Sequence, residues 1–248
     1  MVGRLLDVEG SSHGGPSGQA PSAVVLVVGG SGYLGQQLVQ QMLAQGWKVG
    51  YTYATNPAKL LQHDDLRAFQ VDLATGRGLF ECFDALGPIA RVVNCAALCP
   101  AASEADPQLA AGVSTPSKLL DALDRHVQAS ARLAAGGFSP SVHGTEPFLV
   151  HISTDQVHDG SRKLSAEWHA GEPVNVYGRT KLAGEKEVAS RWPRHAILRA
   201  GPLFGPPPPS PLARGMPWLQ QLDSDLADKK PVVAATDEVC TPTYTAGE

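Results

Sequence analysis

Seven residues, Ala23-Val-Val-Leu-Val-Val-Gly29, constrain the fold of this chain more than any other stretch. A short, unbroken valine-rich run suits a strand buried on both faces, as inside a parallel sheet. It leads straight into Gly29-Gly-Ser-Gly32-Tyr-Leu-Gly35, a GxxGxxG spacing. Beyond it Leu34, Leu38 and Met42, joined by Val39 and Leu43, recur at helical spacing. Gly46 is a natural stop for that helix, and Trp47–Thr52 reads as a second strand. Strand, glycine turn, helix and strand form a βαβ unit.

The alternation continues down the chain. Strands are expected at Ala68–Val71, Arg91–Cys95, Pro147–Ile152 and His195–Arg199, with helices at Leu79–Leu86, Leu119–Ala135 and Val176–Ser190. Residues 138–146 read as an exposed loop. Six strands alternating with helices predict an α/β fold with an open, doubly wound parallel sheet of the Rossmann type. After Gly201 the pattern breaks. Gly205-Pro-Pro-Pro-Pro-Ser-Pro211 reads as an extended connector, followed by one helical stretch, Trp218–Leu226, and a strand signal at Val232-Val233. The expected organisation is therefore a disordered tail over 1–22, a nucleotide-binding domain over 23–200, and a short, partial substrate-binding lobe over 201–248.

Composition narrows the partners. The 248 residues are 43% hydrophobic, enough for a real core, and carry a formal net charge of −4. A mildly acidic chain lacks the basic footprint of nucleic-acid or anionic-membrane binding, and no apolar run reaches the ~18 residues of a membrane helix. Residues 1–22 are rich in Gly, Ser and Pro, without the apolar run of a secretory signal. Four cysteines, at 82, 95, 99 and 240, form neither a dense disulfide framework nor a CxxC pair. Reduced thiols in a cytoplasmic setting are expected, with no metal site.

Three motifs carry the chemistry. The glycine turn, with Gly29, Gly32, Tyr33, Leu34 and Gly35, can bring a diphosphate onto backbone N–H groups at a helix N-terminus, where the helix dipole favours negative charge. Gly35 also lets helix and strand pack closely. At the end of the second strand, Tyr51-Thr-Tyr-Ala-Thr-Asn56 contains no acid to bind a ribose 2′-hydroxyl, and Lys59 is the nearest basic residue. That favours NADP over NAD, with the hydroxyls and Asn56 as candidate phosphate donors. Asp72, followed by Leu73, is read either as a cofactor contact or as a turn residue. Asn94-Cys-Ala96-Ala gives small residues over which a cofactor can lie.

The third motif is Tyr177-Gly-Arg-Thr-Lys181, whose i, i+4 spacing places both side chains on one helix face. An adjacent ammonium favours phenolate, which suits Tyr177 to exchange a proton with a carbonyl or hydroxyl. Thr154, in Ile152-Ser-Thr-Asp155, sits at a strand end where its hydroxyl can orient the same substrate oxygen.

Together these residues resemble an extended short-chain dehydrogenase/reductase. Ser153-Thr-Asp-Gln-Val157 and Pro173-Val-Asn-Val-Tyr-Gly-Arg-Thr-Lys-Leu-Ala-Gly-Glu-Lys186 are similar to the dTDP-4-dehydrorhamnose reductase group, which includes the β (regulatory) subunit of methionine adenosyltransferase. Ile197-Leu-Arg199, Leu203-Phe-Gly205 and Asp237-Glu-Val-Cys-Thr-Pro242 extend the match. The resemblance implies a nicotinamide-dependent reductase with Thr154, Tyr177 and Lys181 in the catalytic positions. Lys181 would also clamp the nicotinamide ribose. Gly29, Gly32, Tyr33, Leu34, Gly35, Asp72, Leu73 and Ala96 would bind the cofactor.

Departures from the group's pattern fall on the sugar side. Pro202 stands where a sugar-packing tryptophan is expected, His158 replaces an aromatic, and Val113-Ser114 replaces an asparagine. Three readings stay open. One is reduction of a carbonyl on a small molecule, such as a nucleotide-linked 4-keto sugar. The second is a cofactor-binding regulatory subunit docked on a methionine adenosyltransferase catalytic subunit, and the third is a truncated inactive homologue.

Overall fold

The computed structural model describes residues 23–55, 63–135, 146–162, 164–210, 218–232 and 240–245. Six parallel strands form its centre: β1 (Val24–Val28), β2 (Lys48–Tyr53), β3 (Leu66–Gln70), β4 (Ile89–Asn94), β5 (Phe148–Thr154) and β6 (His195–Ala200). Their order is β3-β2-β1-β4-β5-β6, with β1 paired in parallel to both β2 and β4. All five residues of β1 are buried, as a valine run covered on both faces requires.

Helices cover both faces. They are α1 (Tyr33–Ala44), α2 (Leu79–Leu86), α3 (Pro100–Ala105), α4 (Pro107–Ser114), α5 (Ser117–Ala135) and α6 (Val176–Arg191). Two cores result. One joins Leu26, Val92 and Leu149 to α2, α5 and α6 through Phe83, Leu120, Leu123, Val188 and Trp192. The other joins Val25, Val27, Val150 and Ile152 to α1 through Leu38, Val39 and Met42. Strand alternation delivers these two sets to opposite faces.

The expected strands and helices of this domain are present, with ends moved by a few residues. Helices α3 and α4 were not anticipated from the sequence. Each opens on a proline, whose fixed φ and missing N–H suit a first turn, and Asp106 caps α4 by accepting the Leu109 N–H at 2.9 Å.

Past β6, strands β7 (Leu203–Phe204) and β8 (Thr243–Tyr244) pair in parallel, and α7 (Trp218–Ala227) matches the expected helix. Val232 is irregular rather than part of a strand. The tail over 1–22, Asn56, Lys59, most of the 138–146 loop, Val233 and Asp237 lie outside the described residues. Among the described residues, no helix is long and apolar enough to cross a membrane. All four cysteines are free thiols.

Candidate functional site

The strand order reverses between β1 and β4, leaving a crevice at the carboxyl edge of the sheet where open α/β folds place ligands. The glycine turn after β1 and Ala96 after β4 flank it. The Gly32 N–H closes the turn onto the Gly29 carbonyl at 3.0 Å, and the Gly29 N–H donates to the Thr52 hydroxyl at 3.0 Å. A Cβ on Gly35 would stand 2.4 Å from the Gly29 carbonyl oxygen, so only glycine lets α1 start this close to the turn. No side chain caps α1 and no acid lies in its first turn. That open N-terminus suits an anionic group.

The Thr52 hydroxyl thus accepts from the turn, and Tyr51 is buried behind Gly30. Asp72 acts as a turn residue. Its carboxylate accepts from the N–H groups of Ala74 (3.0 Å) and Thr75 (3.4 Å), and its pKa is lowered by hydrogen bonds to Thr75 and Ala74. Leu73 packs on the core. Tyr33 begins α1, and its hydroxyl accepts from Gln220 of α7 at 2.9 Å.

The second half of the crevice is built by α6 lying along β5. Asn175 caps α6 by accepting the Gly178 N–H at 2.7 Å. A Cβ on Gly178 would come within 2.1 Å of the Gln156 carbonyl oxygen, so a glycine inside the Tyr177–Lys181 motif allows the close approach. Tyr177 then faces Thr154, an approach that acts to lower the phenol pKa, while the Thr154 hydroxyl donates to Asp155 Oδ1 at 3.2 Å and accepts the Gln156 N–H at 3.2 Å. One turn on, the Lys181 ammonium donates to the Ile152 carbonyl. Thr154, Tyr177 and Lys181 are therefore brought together as their order in the sequence anticipated.

Their electrostatics differ from expectation. Burial, with added repulsion from Asp155 and Cys99, raises the Tyr177 pKa above its ordinary value, although Thr154 opposes the shift. Burial thus favours the phenol, where the sequence reading expected Lys181 to lower the Tyr177 pKa. Lys181 is 1% exposed. Burial lowers its pKa to about 8 against the opposing pull of Cys95 and Glu185.

Behind these groups stands a polar layer that sequence reasoning did not single out. Glu185 pairs with Arg199 and accepts from Ser153. Asn94 accepts the Ala96 N–H through Oδ1 at 3.2 Å, which aims its amide N–H at His151 Nδ1, 3.1 Å away. That fixes the His151 proton on Nε2, an atom with no hydrogen-bond partner. Burial, reinforced by the Lys181 charge, holds the ring neutral by lowering its pKa well below the usual histidine range. The available signal was polar residues at inward positions of strands otherwise read as apolar, His151 and Ser153 in β5 and Arg199 in β6. Among the described residues no cluster of three or more potential ligands could hold a metal ion.

The sheet order, the glycine turn at its switch point and the tyrosine–lysine helix define a Rossmann-type protein of the extended short-chain dehydrogenase/reductase class. The chain belongs to the RmlD substrate binding domain family, whose model matches residues 23–247. Among its relatives, methionine adenosyltransferase 2 subunit beta of Danio rerio is 29% identical over 204 residues, 79% of this chain and 53% of that protein. The dTDP-4-dehydrorhamnose reductase of Salmonella typhimurium is 31% identical over 181 residues, 73% of this chain and 51% of that protein. The chain thus spans about half the length of these relatives.

Solved structures share the fold. A dTDP-4-dehydrorhamnose reductase from Bacillus anthracis, in complex with NADP, superposes with a TM-score of 0.63 at 21% identity, covering 92% of this chain and 68% of that one. A UDP-glucose 4-epimerase from Thermus thermophilus, in complex with NAD, gives a TM-score of 0.67 at 24% identity over 90% of this chain and 70% of that one.

Proposed function

We propose that this chain carries the cofactor-binding and proton-donating part of an NAD(P)H-dependent carbonyl reductase acting on a small molecule in the cytoplasm, with a nucleotide-linked 4-keto sugar as substrate. The observation that carries the reading is the placement of Tyr177 and Lys181 one turn apart on α6, with the Lys181 ammonium on the Ile152 carbonyl of β5, the strand that ends at Thr154. The uncapped N-terminus of α1 fits a dinucleotide diphosphate. Gly29, Gly32, Tyr33, Leu34 and Gly35 would hold it, Ala96 would floor the crevice, and Lys181 would face the ribose. Asp72 and Leu73, engaged in a turn and the core, would shape the adenine end.

When bound, the reduced nicotinamide supplies the hydride. The chain's own residues do the rest. Thr154 orients the carbonyl oxygen, and Tyr177 gives its phenolic proton to that oxygen as negative charge develops. At neutral pH the phenol holds its proton, as an ordinary tyrosine of pKa ~10 also does, and burial opposes its release. The buried Lys181 ammonium supplies positive charge beside the site, in surroundings where burial weakens screening.

The test is turnover of dTDP-4-keto-rhamnose with NADPH by wild type and Tyr177→Phe, alongside fluorescence titrations with NADPH and NADH. We expect tighter binding of NADPH, and a fall of about 10²–10⁴-fold in kcat for Tyr177→Phe with cofactor affinity kept. Cofactor binding without turnover would sink the substrate assignment.

A second reading is a regulatory subunit that docks on a methionine adenosyltransferase catalytic subunit. It is favoured by the zebrafish relative and by Pro202 in place of a sugar-packing tryptophan. Co-purification with that catalytic subunit, together with absent turnover, would select it.

A further inference from the structure

We propose that Glu185 is a positioning residue of the Tyr177–Lys181 site. Acting through Ser153 and Arg199, its carboxylate fixes α6 against β5 and β6 and so sets where the Lys181 ammonium and the Thr154 hydroxyl stand. The kinetic part of this inference rests on the reductase reading; the structural part does not.

Glu185 is 5% exposed, and both its oxygens are taken. One accepts the Ser153 hydroxyl at 2.5 Å and Arg199 Nε at 2.9 Å; the other accepts Arg199 Nη2 at 2.7 Å. The two-pronged guanidinium contact is geometrically specific. Its anchor points matter more than its strength. Ser153 lies between Ile152, whose carbonyl receives the Lys181 ammonium, and Thr154, whose hydroxyl meets Tyr177. Arg199 stands opposite Ser153 in the β5–β6 register. A single carboxylate thus grips the strand between its two site contacts. It does so from the helix that carries Tyr177 and Lys181, one turn beyond Lys181.

Charge points the same way. The titratable groups facing Lys181 are Cys95 from β4, His151 from β5 and Glu185 from α6 itself. Cys95 is a neutral thiol, pushed up to about 12 by burial, and His151 is neutral. Glu185 is therefore the anion that offsets the burial of the ammonium. Beyond it Arg199 reaches only weakly toward His158 Nε2 and the Glu167 carbonyl, each 3.4 Å away.

A brace with no role at the site would lower stability and leave kcat unaffected, whereas loss of the Glu185 charge by itself shifts Lys181. The full chain carrying Glu185→Gln separates the two roles. Three measurements are made: kcat and KM, NADPH affinity, and titration of the Lys181 ammonium by nitrogen NMR. We expect kcat to fall by about 10²-fold, the size of effect a small misplacement produces. NADPH affinity should fall as well, because Lys181 would face the ribose, and Lys181 should titrate at lower pH, with Glu185→Asp recovering part of these losses. Wild-type kcat in a folded Glu185→Gln chain would overturn the proposal.

Glu185→Gln leaves Arg199 without its partner and can fail to fold. The double variant E185Q/R199Q removes both charges and is read the same way; wild-type behaviour there also overturns the proposal. If the wild-type chain reduces no carbonyl, the reductase reading fails by itself. The charge-keeping Glu185→Asp then decides, a moved Lys181 titration supporting the positioning role and an unmoved one refuting it.

Discussion

The two ends of this molecule are held by different physics. From Val24 to Ala200, strands and helices bury continuous apolar faces, and side chains such as Leu120, Leu123 and Leu149 are sealed from water. After Gly201 none of the residues of α7 is buried. Trp218 is 57% exposed and Leu226 is 60% exposed, while β7 and β8 pair over two residues each. What ties this second region to the first is hydrogen bonding. Buried Gln36 of α1 donates to the Ser31 and Ser210 carbonyls at 3.0 and 3.2 Å and accepts the Ser210 N–H at 2.9 Å. Gln37 reaches the Pro206 carbonyl at 3.2 Å, and Gln220 reaches Tyr33. The proline connector cannot use its own N–H groups, so side-chain amides from α1 engage its carbonyls instead. The difference teaches that the C-terminal region is organised by the cofactor helix, and that its order depends on a few amides beside the glycine turn.

That contrast can be broken at graded points. The largest effect is expected inside the first region. Leu120→Ala should cost about 2–5 kcal/mol in denaturant unfolding, since it leaves a cavity in a closed core. Next, Gln36→Leu should cost about 1–3 kcal/mol by removing the hydrogen bonds that the buried Gln36 amide makes with the Ser31 and Ser210 backbone. Hydrogen exchange should then quicken over 203–210 and 218–227 while β1 to β6 keep their protection. Equal quickening everywhere would show that the two regions unfold as one.

A smaller effect is expected from pH. Lys181 titrates near 8 when folded and at 10.5 when unfolded, so between those values the unfolded chain holds the extra proton. Stability therefore rises with pH in that window. Cys82 and Cys95 act oppositely above pH 9, because burial pushes both from 9.0 to about 12. Stability should thus gain about 1 kcal/mol from Lys181 between pH 8 and 9 and then turn over. Lys181→Met should lack the gain and keep the fall, as chemical denaturation at stepped pH would show. Least of all, Leu226→Ala on exposed α7 should stay within about 0.5 kcal/mol of wild type. A larger loss would place α7 in a packed interface.

Local pattern alone carried much of this. The valine run, the GxxGxxG spacing and the tyrosine–lysine pair are readable because each feature lies within a few residues of sequence. Such features report backbone period and helix-face geometry directly. Helices α3 and α4 had a legible signal in Asp106-Pro107, which is an N-cap followed by a first-turn proline, but they lack an apolar stripe long enough to announce them.

Other features needed the folded chain. Asp72 closes a turn with Ala74 and Thr75, contacts that only the folded chain shows. Burial raises the Tyr177 pKa where the i, i+4 lysine was expected to lower it. Glu185 meets Ser153 across 32 residues and Gln36 meets Ser210 across 174. No local period encodes such pairs. The sequence by itself determined the alternating elements and the residues at the sheet's carboxyl edge, since hydrophobic period and glycine spacing are properties of neighbours. Tertiary structure alone decided which charges are buried together and what the proline connector rests on, since both depend on burial that exists only once the elements have packed.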